Sequence, residues 1–352
     1  MDVTQPKETR VTRFAAATFA PVLLLVAAGI WGGVWIWAAL AWLTLLVFAL
    51  DHLRALAAPG DPGAEFPAGT VLSAALGLVH LPLLGMAVWL VAGQTGATVL
   101  ERIAGFFAFG LFLGQVSNSN AHELIHRADR RLRRLGVLVY ASVLYGHHAS
   151  AHPLVHHVHV GTAKDPNSPR GRESFYRYLW RVWRGEYRAG RDAESARRSR
   201  TGKRGLHPYV VYALVSLATV AGSLALAGLP GVIAHIGLAA YVQSQLMITD
   251  YVQHYGLPRA MTDKGRPEPC GPQHSWNTPH AASSALMLNA PRHSDHHTRP
   301  GVAFPGLRLD EDAMPTLPHS LPVMALIALW PAKWRAIMDP LAAPWQRPRA
   351  GL

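Results

Sequence analysis

The chain has one cysteine, Cys270, among its 352 residues. Disulfides within it are therefore impossible, and so is a zinc or iron site built on four thiolates. Charge is scarce as well: only 15% of residues are charged, while half are hydrophobic. Acidic charge is the scarcest, with 21 Asp and Glu against 33 Lys and Arg, a formal balance of +12. The scarcity is uneven. Long apolar runs stand apart from strongly basic stretches, a pattern of membrane plus aqueous surface and not of one soluble globule. The excess Arg clusters beside the apolar runs, which favours topology and lipid contact over nucleic acid, and no nucleic-acid recognition module is present. No internal repeat or low-complexity segment stands out. No cleavable signal is evident, because the polar start Met1 to Arg13 leads into an apolar run from Phe14 that reads as a retained span.

A membrane-crossing helix needs roughly 20 apolar residues. Six segments qualify: Phe14 to Ile30, Val34 to Leu50, Gly69 to Ala92, Val99 to about Val116, Pro208 to Ala227 and Val232 to about Ile248. Gly32-Gly33, Gln94-Thr95-Gly96 and Gly228-Leu229-Pro230-Gly231 punctuate them, so three helical hairpins are expected. Leu321 to Trp330 is too short to span and reads as interfacial or packed on a cap. The turns 31–33, 93–98 and 228–231 contain no Lys or Arg, whereas Lys7, Arg10, Arg13, Arg54 and the Arg-dense stretch 127–204 lie on the other side. By the positive-inside rule both termini and all large polar regions face the cytoplasm. The expected class is an all-α integral membrane protein of six transmembrane helices with a cytoplasmic histidine-rich cap. One membrane enzyme domain covers 1–352: four spans within 14–119, a cytoplasmic segment 120–206, two spans within 207–250 and a cap 251–352.

The stretch 170–205 is basic and aromatic, with Tyr176, Tyr178, Trp180, Trp183 and Tyr187. It reads as a helix on the membrane surface with aromatics at headgroup level, and also as a docking face for an acidic electron donor.

Histidine is the abundant functional residue, at 19 copies. His122 and His126 sit at i and i+4 in His-Glu-Leu-Ile-His, so they share a helix face and can bind one metal. Alone this is the zinc-protease signature and a weak signal. It is followed by His152, His156 and His157, by a lone His254, and by His293, His296 and His297. Nine is too many for one zinc, which takes four ligands or fewer from protein. Two metals with four or five imidazoles each use them all, and iron is favoured because it also activates O₂. Glu123, Asp165, Asp250 and Asp295 are the nearby acids that can accept the outer imidazole N–H. His147, His148 and His159 are read as neighbours and not ligands, and His80 and His235 as hydrogen-bonded positions inside spans.

Together these motifs resemble the integral-membrane alkane 1-monooxygenase family, which includes xylene-type hydroxylases and belongs to the wider fatty acid desaturase-like superfamily. The resemblance is densest in Asn120-Ala121-His122-Glu123-Leu124-Ile125-His126-Arg127, His156-His157-Val158-His159-Val160, Asp165-Pro166, His254-Tyr255-Gly256-Leu257, His274-Ser275-Trp276-Asn277 and Arg292-His293-Ser294-Asp295-His296-His297. The family's ligand order of HxxxH, HxxxHH, lone His and HxxHH is filled at all nine positions. The resemblance implies two iron ions held by histidine in a bacterial inner-membrane enzyme that inserts one atom of O₂ into a hydrophobic substrate from the bilayer, a terminal carbon of an alkane being the expected target. Electrons are then expected from rubredoxin and its rubredoxin reductase. A fused rubredoxin is excluded, since that needs four cysteines. Departures from the family pattern flank the ligands: Ala151, Pro153, Val155, Asp250, Gln253, Ala290 and Pro291. They bear on local electrostatics and substrate, with Ala290 expected to open room near the metal and Val155 to narrow it. Trp37, Trp42 and Phe107 are candidate walls of a substrate channel.

The rival readings are a membrane desaturase or related hydroxylase acting on an acyl chain or an aromatic methyl group, an intramembrane zinc protease, and a metal transporter. The protease leaves seven histidines unexplained. The transporter needs polar groups along the bilayer midplane, whereas these clusters sit at the ends of spans.

Overall fold

The computed structural model describes residues 7–53 and 67–346. Arg54 and the first six residues lie outside them. The described residues are helical, with two isolated β-bridges and no strand. Among the described residues, five helices are long and apolar enough to cross a membrane.

Helices α1 (Lys7–Trp31) and α2 (Val34–Leu53) form the first hairpin. Its turn is Gly32 and Gly33, at φ 63° and 55°, where a side chain would be strained. Helices α3 (Pro67–Val91) and α4 (Val99–Ile125) form the second. A capping box starts α4: the Thr98 hydroxyl accepts from the Glu101 N–H, and the Glu101 carboxylate accepts from the Thr98 N–H at 2.7 Å. Arg102 donates to the Val91 carbonyl at 2.9 Å and so satisfies the end of α3.

The first departure from the sequence reading is in α4. Its expected end at Val116 is passed, and the helix carries straight into the first histidine box. The polar residues that suggested an end are buried and bonded: Asn118 donates to the Val242 carbonyl at 3.2 Å and Asn120 to the Ser73 carbonyl at 2.9 Å. A π-helical turn, Phe112–Ser117, precedes the box, and a second interrupts α2 at Trp42–Leu46. Such turns recur at functional sites because each re-aims the residues beyond it.

A short helix, α5 (Arg130–Ser142), has an exposed Arg-rich start and a buried end. Two short helical stretches then hold residues 148–159, joined by a π turn at His152–His156, where Pro153 has no N–H to give the α-helical ladder. Helix α7 (Phe175–Thr201) spans the basic aromatic stretch. Its inward stripe is Phe175, Tyr178, Val182, Glu186, Gly190 and Glu194, while Tyr176, Trp180, Trp183 and Tyr187 are exposed. The stretches over 148–159 together form α6.

Helix α8 (Pro208–His254) has non-helical backbone at Ala227 and Gly228. Ser223 and His235 would be about 18 Å apart along a straight helix. Their side chains are 2.8 Å apart, so the chain doubles back into two arms. Gly29 packs on Met86, and Ala92, Ala227 and Ala234 pack together, which gathers the three glycine turns at one end. The histidine boxes lie at the other. There the chain continues through α9 (Ala281–Leu286), α10 (His293–Thr298), α11 (Leu321–Ala328) and α12 (Pro331–Ala342). As expected, α11 is packed and does not span: Leu321, Met324 and Ala328 are buried, while Leu326 faces outward.

The end of α5 is buried among apolar helices, where unpaired carbonyls are costly. Three successive carbonyls are satisfied by side chains of α8. Ser216 donates to Ala141 at 2.7 Å, His235 Nε2 to Ser142 at 2.7 Å and Gln243 to Val143 at 2.9 Å. His80 Nε2 meets the Ser142 hydroxyl at 2.8 Å. The two histidines inside spans are thus hydrogen-bonded, and they hold the segment that runs directly into His147 and His148.

Candidate metal centre

The nine histidines of the sequence pattern meet at one place. His122 and His126 come from the end of α4, His152, His156 and His157 from α6, His254 from the end of α8, and His293, His296 and His297 from α10. They sort into two sets. His122, His126, His152, His157 and His296 converge within 4.8 Å, and His156, His254, His293 and His297 do the same.

The spacings are those of ligands around a cation. In the first set the Nε2 atoms of His122 and His152 are 2.7 Å apart, those of His152 and His157 2.9 Å, and those of His157 and His296 3.0 Å. In the second, His254 to His293 is 3.0 Å and His293 to His297 is 3.1 Å. Two imidazole nitrogens held about 2.1 Å from one metal at a right angle lie about 3.0 Å apart. An imidazole nitrogen either donates or accepts, so one-to-one hydrogen bonds cannot account for all three successive contacts along such a chain. The Nε2 atoms of His126 and His156 are buried without a hydrogen-bond partner. A metal in each set fits every one of these observations.

Electrostatics keeps most of the rings neutral, the form that ligates. Burial, followed by the neighbouring imidazoles, pushes His152, His157, His293, His296 and His297 well below the usual histidine range. His156 differs. Burial opposes its charge, but the Asp165 carboxylate, 2.9 Å from Nδ1, outweighs that and lifts it to about 9 in the metal-free protein. That bond also turns Nε2 of His156 inward.

Of the four acids expected to orient ligands, only Asp165 touches an imidazole. Glu123 pairs with Arg127 at 2.5 Å and takes the Phe304 N–H at 3.4 Å. Asp295 pairs with Arg299 and accepts from the Arg308 N–H at 2.8 Å. Asp250 accepts from Asn167 at 2.8 Å. Adjacency in a helix is the reason: neighbours diverge by about 100°, so Glu123 and Asp295 point away from the rings beside them.

Glu186 was missed. It is buried at 2% exposure and accepts from His148 Nδ1 at 2.6 Å, from the Tyr145 hydroxyl at 2.5 Å and from Asn167 at 3.2 Å. Burial opposes its charge, but His148 holds its carboxyl down at about 2. Its signal in the sequence was an acid on the apolar stripe of α7, four residues from Val182 and from Gly190. His148 stays outside both metal sets, its ring 4.9 Å from that of His152. His147 is buried and His159 half-buried, both outside the sets.

A cavity of about 620 Å³ reaches the centre, with His122, His152 and His293 at its wall. Its apolar lining comes from α2, α4, the second arm of α8 and α11, including Leu43, Phe48, Phe107, Leu246 and Leu326. Phe107 is in the wall of this cavity. Trp37 and Trp42 are not: Trp37 lies one turn before the first lining residue, Leu40, and is 42% exposed, and Trp42 faces a separate shallow groove between α1 and α2. Ala290 is in the wall beside His293, whereas Val155 is buried away from it.

The fatty acid desaturase family profile matches residues 97–326, which contain all nine histidines. Alkane 1-monooxygenase 2 of Pseudomonas aeruginosa is 34% identical, over 75% of this chain and 72% of its own length. Alkane 1-monooxygenase 2 of Alcanivorax borkumensis is 29% identical, over 87% of this chain and 82% of its own. The xylene/toluene monooxygenase hydroxylase component of Pseudomonas putida is 26% identical, over 62% of this chain and 58% of its own. With the histidine pattern, the apolar helices and these relatives in agreement, the chain belongs to the alkane 1-monooxygenase family of membrane monooxygenases, within the broader fatty acid desaturase family.

Proposed function

We propose that this protein crosses the membrane six times, holds two irons on its nine clustered imidazoles at the cytoplasmic end, and hydroxylates the terminal carbon of an alkane. The observation that carries this is the meeting of two imidazole sets with an apolar cavity whose lining residues Leu45, Phe48, Phe107 and Leu326 are also exposed on the outside of the bundle. An alkane dissolved in lipid can enter there without crossing water. The doubling back of α8 supplies the sixth crossing, and the basic charge of α5 and α7 at the histidine end supports the cytoplasmic orientation. Bacterial inner membrane is the matching location.

Imidazole suits iron, zinc and copper, and O₂ chemistry selects iron. The bound irons supply O₂ activation and cleavage of the C–H bond, which side chains cannot perform. In sum, R–H, O₂, two electrons and two protons give R–OH and water. The protein's own part is positional. His122, His126, His152, His157 and His296 hold one ion, and His156, His254, His293 and His297 the other. Asp165 orients His156. Apolar walls exclude water and place the chain end at the centre. The two electrons come from rubredoxin, kept reduced by rubredoxin reductase, and the exposed Arg and aromatic face of α7 is its dock. A benzylic carbon is the second reading, supported by the relative named for xylene and toluene.

The test combines metal analysis of the purified protein with product analysis on n-octane, p-xylene and a fatty acid. About two irons per chain and 1-octanol are expected. Zinc in place of iron would overturn the metal reading. Oxidation of xylene or an acyl chain without octane would overturn the substrate and leave the metal centre intact.

A further inference from the structure

A line of aromatic rings joins the exposed face of α7 to the metal centre. Tyr187, exposed on that face, stands edge-on to His147 with ring centroids 5.3 Å apart. His147 meets Tyr145 at 4.4 Å, Tyr145 stacks on His148 at 5.6 Å, and His148 lies 4.9 Å from the ligand His152. Tyr145, His147 and His148 are buried, so the line runs through protein. A phenol gives up an electron more readily than an imidazole. When buried it does so only if its proton leaves too, because a phenol cation there has no solvent to support it. Two tyrosines flank His148. Tyr140, its ring 4.9 Å away, donates to the Asn118 carbonyl at 3.2 Å, and an amide carbonyl is a poor base. Tyr145 instead donates to the Glu186 carboxylate at 2.5 Å, which is also held by His148 Nδ1 and by Asn167. A carboxylate so placed can take the phenolic proton along a bond already made. Hydroxylation itself uses neither Tyr145 nor Glu186.

We propose that Tyr145 is a redox-active tyrosine that carries oxidising equivalents out of the metal centre when no hydrocarbon is in place. The inference rests on the reading of the two imidazole sets as a metal centre that reduces O₂, and goes beyond it. Tyr145 gives one electron to the centre through His148 and His152. Its O–H bond breaks, the proton passes to the Glu186 carboxylate, and a neutral phenoxyl remains. An electron from the external donor then enters at Tyr187 and crosses His147, Glu186 returns the proton, and the phenol is restored. Two such passages complete the balance: O₂, four electrons and four protons give two waters, the first two electrons being those that hydroxylation also needs. The imidazole ligands are thereby spared, since an oxidant left without substrate attacks the groups around it.

The experiment follows the radical and not the product. The purified, iron-loaded full chain in lipid nanodiscs is reduced, freed of reductant, mixed with O₂ and freeze-quenched for electron paramagnetic resonance, with and without n-octane. Wild type without octane should give an organic radical whose spectrum narrows when the protein is made with ring-deuterated tyrosine, and octane should suppress it. Folded Tyr145→Phe should lose the signal. So should Glu186→Gln, which keeps the phenol and removes the base, whereas Tyr140→Phe should keep it. Tyr187→Phe should lengthen the life of the radical once a donor is added. Absence of a tyrosine radical in wild type overturns the proposal whether or not any variant folds. A full signal in folded Tyr145→Phe or Glu186→Gln overturns it as well, and an unchanged lifetime in Tyr187→Phe removes the path through His147. Octane oxidised normally by a wild type that shows no radical sinks this inference alone, whereas loss of O₂ consumption and radical together sinks the metal-centre reading.

Discussion

At the residue scale, the histidines act as sets and not singly. Loss of His297 should remove metal from the set of four while leaving the set of five, so His297→Ala should fall from about two metals per chain to about one, as read by elemental analysis. Asp165→Asn is milder. It keeps the shape but weakens the partner of His156 Nδ1, so metal affinity should drop roughly 10–100-fold. Glu186 gives a pH signature. Its carboxyl titrates lower in the folded protein than unfolded, so its contribution is full above about 4.5 and is lost as pH falls towards about 2. Acid unfolding of wild type over that window should be steeper than that of Glu186→Gln. A parallel pair of curves would show that the carboxylate is not stabilised as described. Among the departures flanking the ligands, Ala290 lines the cavity and Val155 does not. Ala290→Leu should therefore shorten the preferred chain, and Val155→Gly should leave the product profile as it was.

At the scale of elements, two devices shape the bundle. The first is the reversal in α8, where Gly228 sits at φ 62° and ψ −154°, a conformation open essentially to glycine. An added Cβ meets nothing closer than Pro230 at 3.8 Å, so the cost of Gly228→Ala is backbone strain, about 1–3 kcal/mol, visible as a lower Tm. The second is the clamp on the end of α5. His235→Leu leaves the Ser142 carbonyl and Ser223 without that imidazole. Interhelical polar bonds in membranes are worth about 1 kcal/mol, so a modest fall in stability is expected, together with a looser α6 that holds metal less well. Tm unchanged alongside normal metal content would show that the clamp does nothing.

At the scale of the whole molecule, the basic exposed face of α7 lies at the histidine end, and its inner face carries Glu186 into the polar network beneath the centre. Neutralising Arg177, Arg184 and Arg188, all exposed, should slow rubredoxin-driven turnover and flatten its salt dependence, because screened attraction governs the encounter. Equal slowing with a chemical reductant would make the face structural instead. The sequence by itself determined the apolar helices, their glycine turns and the nine histidines, because hydropathy, backbone freedom and side-chain chemistry are local properties. It also announced α7 as a helix through its basic and aromatic composition. Only the tertiary structure divided the histidines into five and four, since those rings come from four separate segments. Only it turned Glu123 and Asp295 away from the rings, set Glu186 against His148, and placed Phe107 in the cavity while leaving Trp37 and Trp42 outside. Which way a side chain faces depends on helix rotation and on the neighbours that fill the other side, and no single stretch of sequence contains both partners of such a contact.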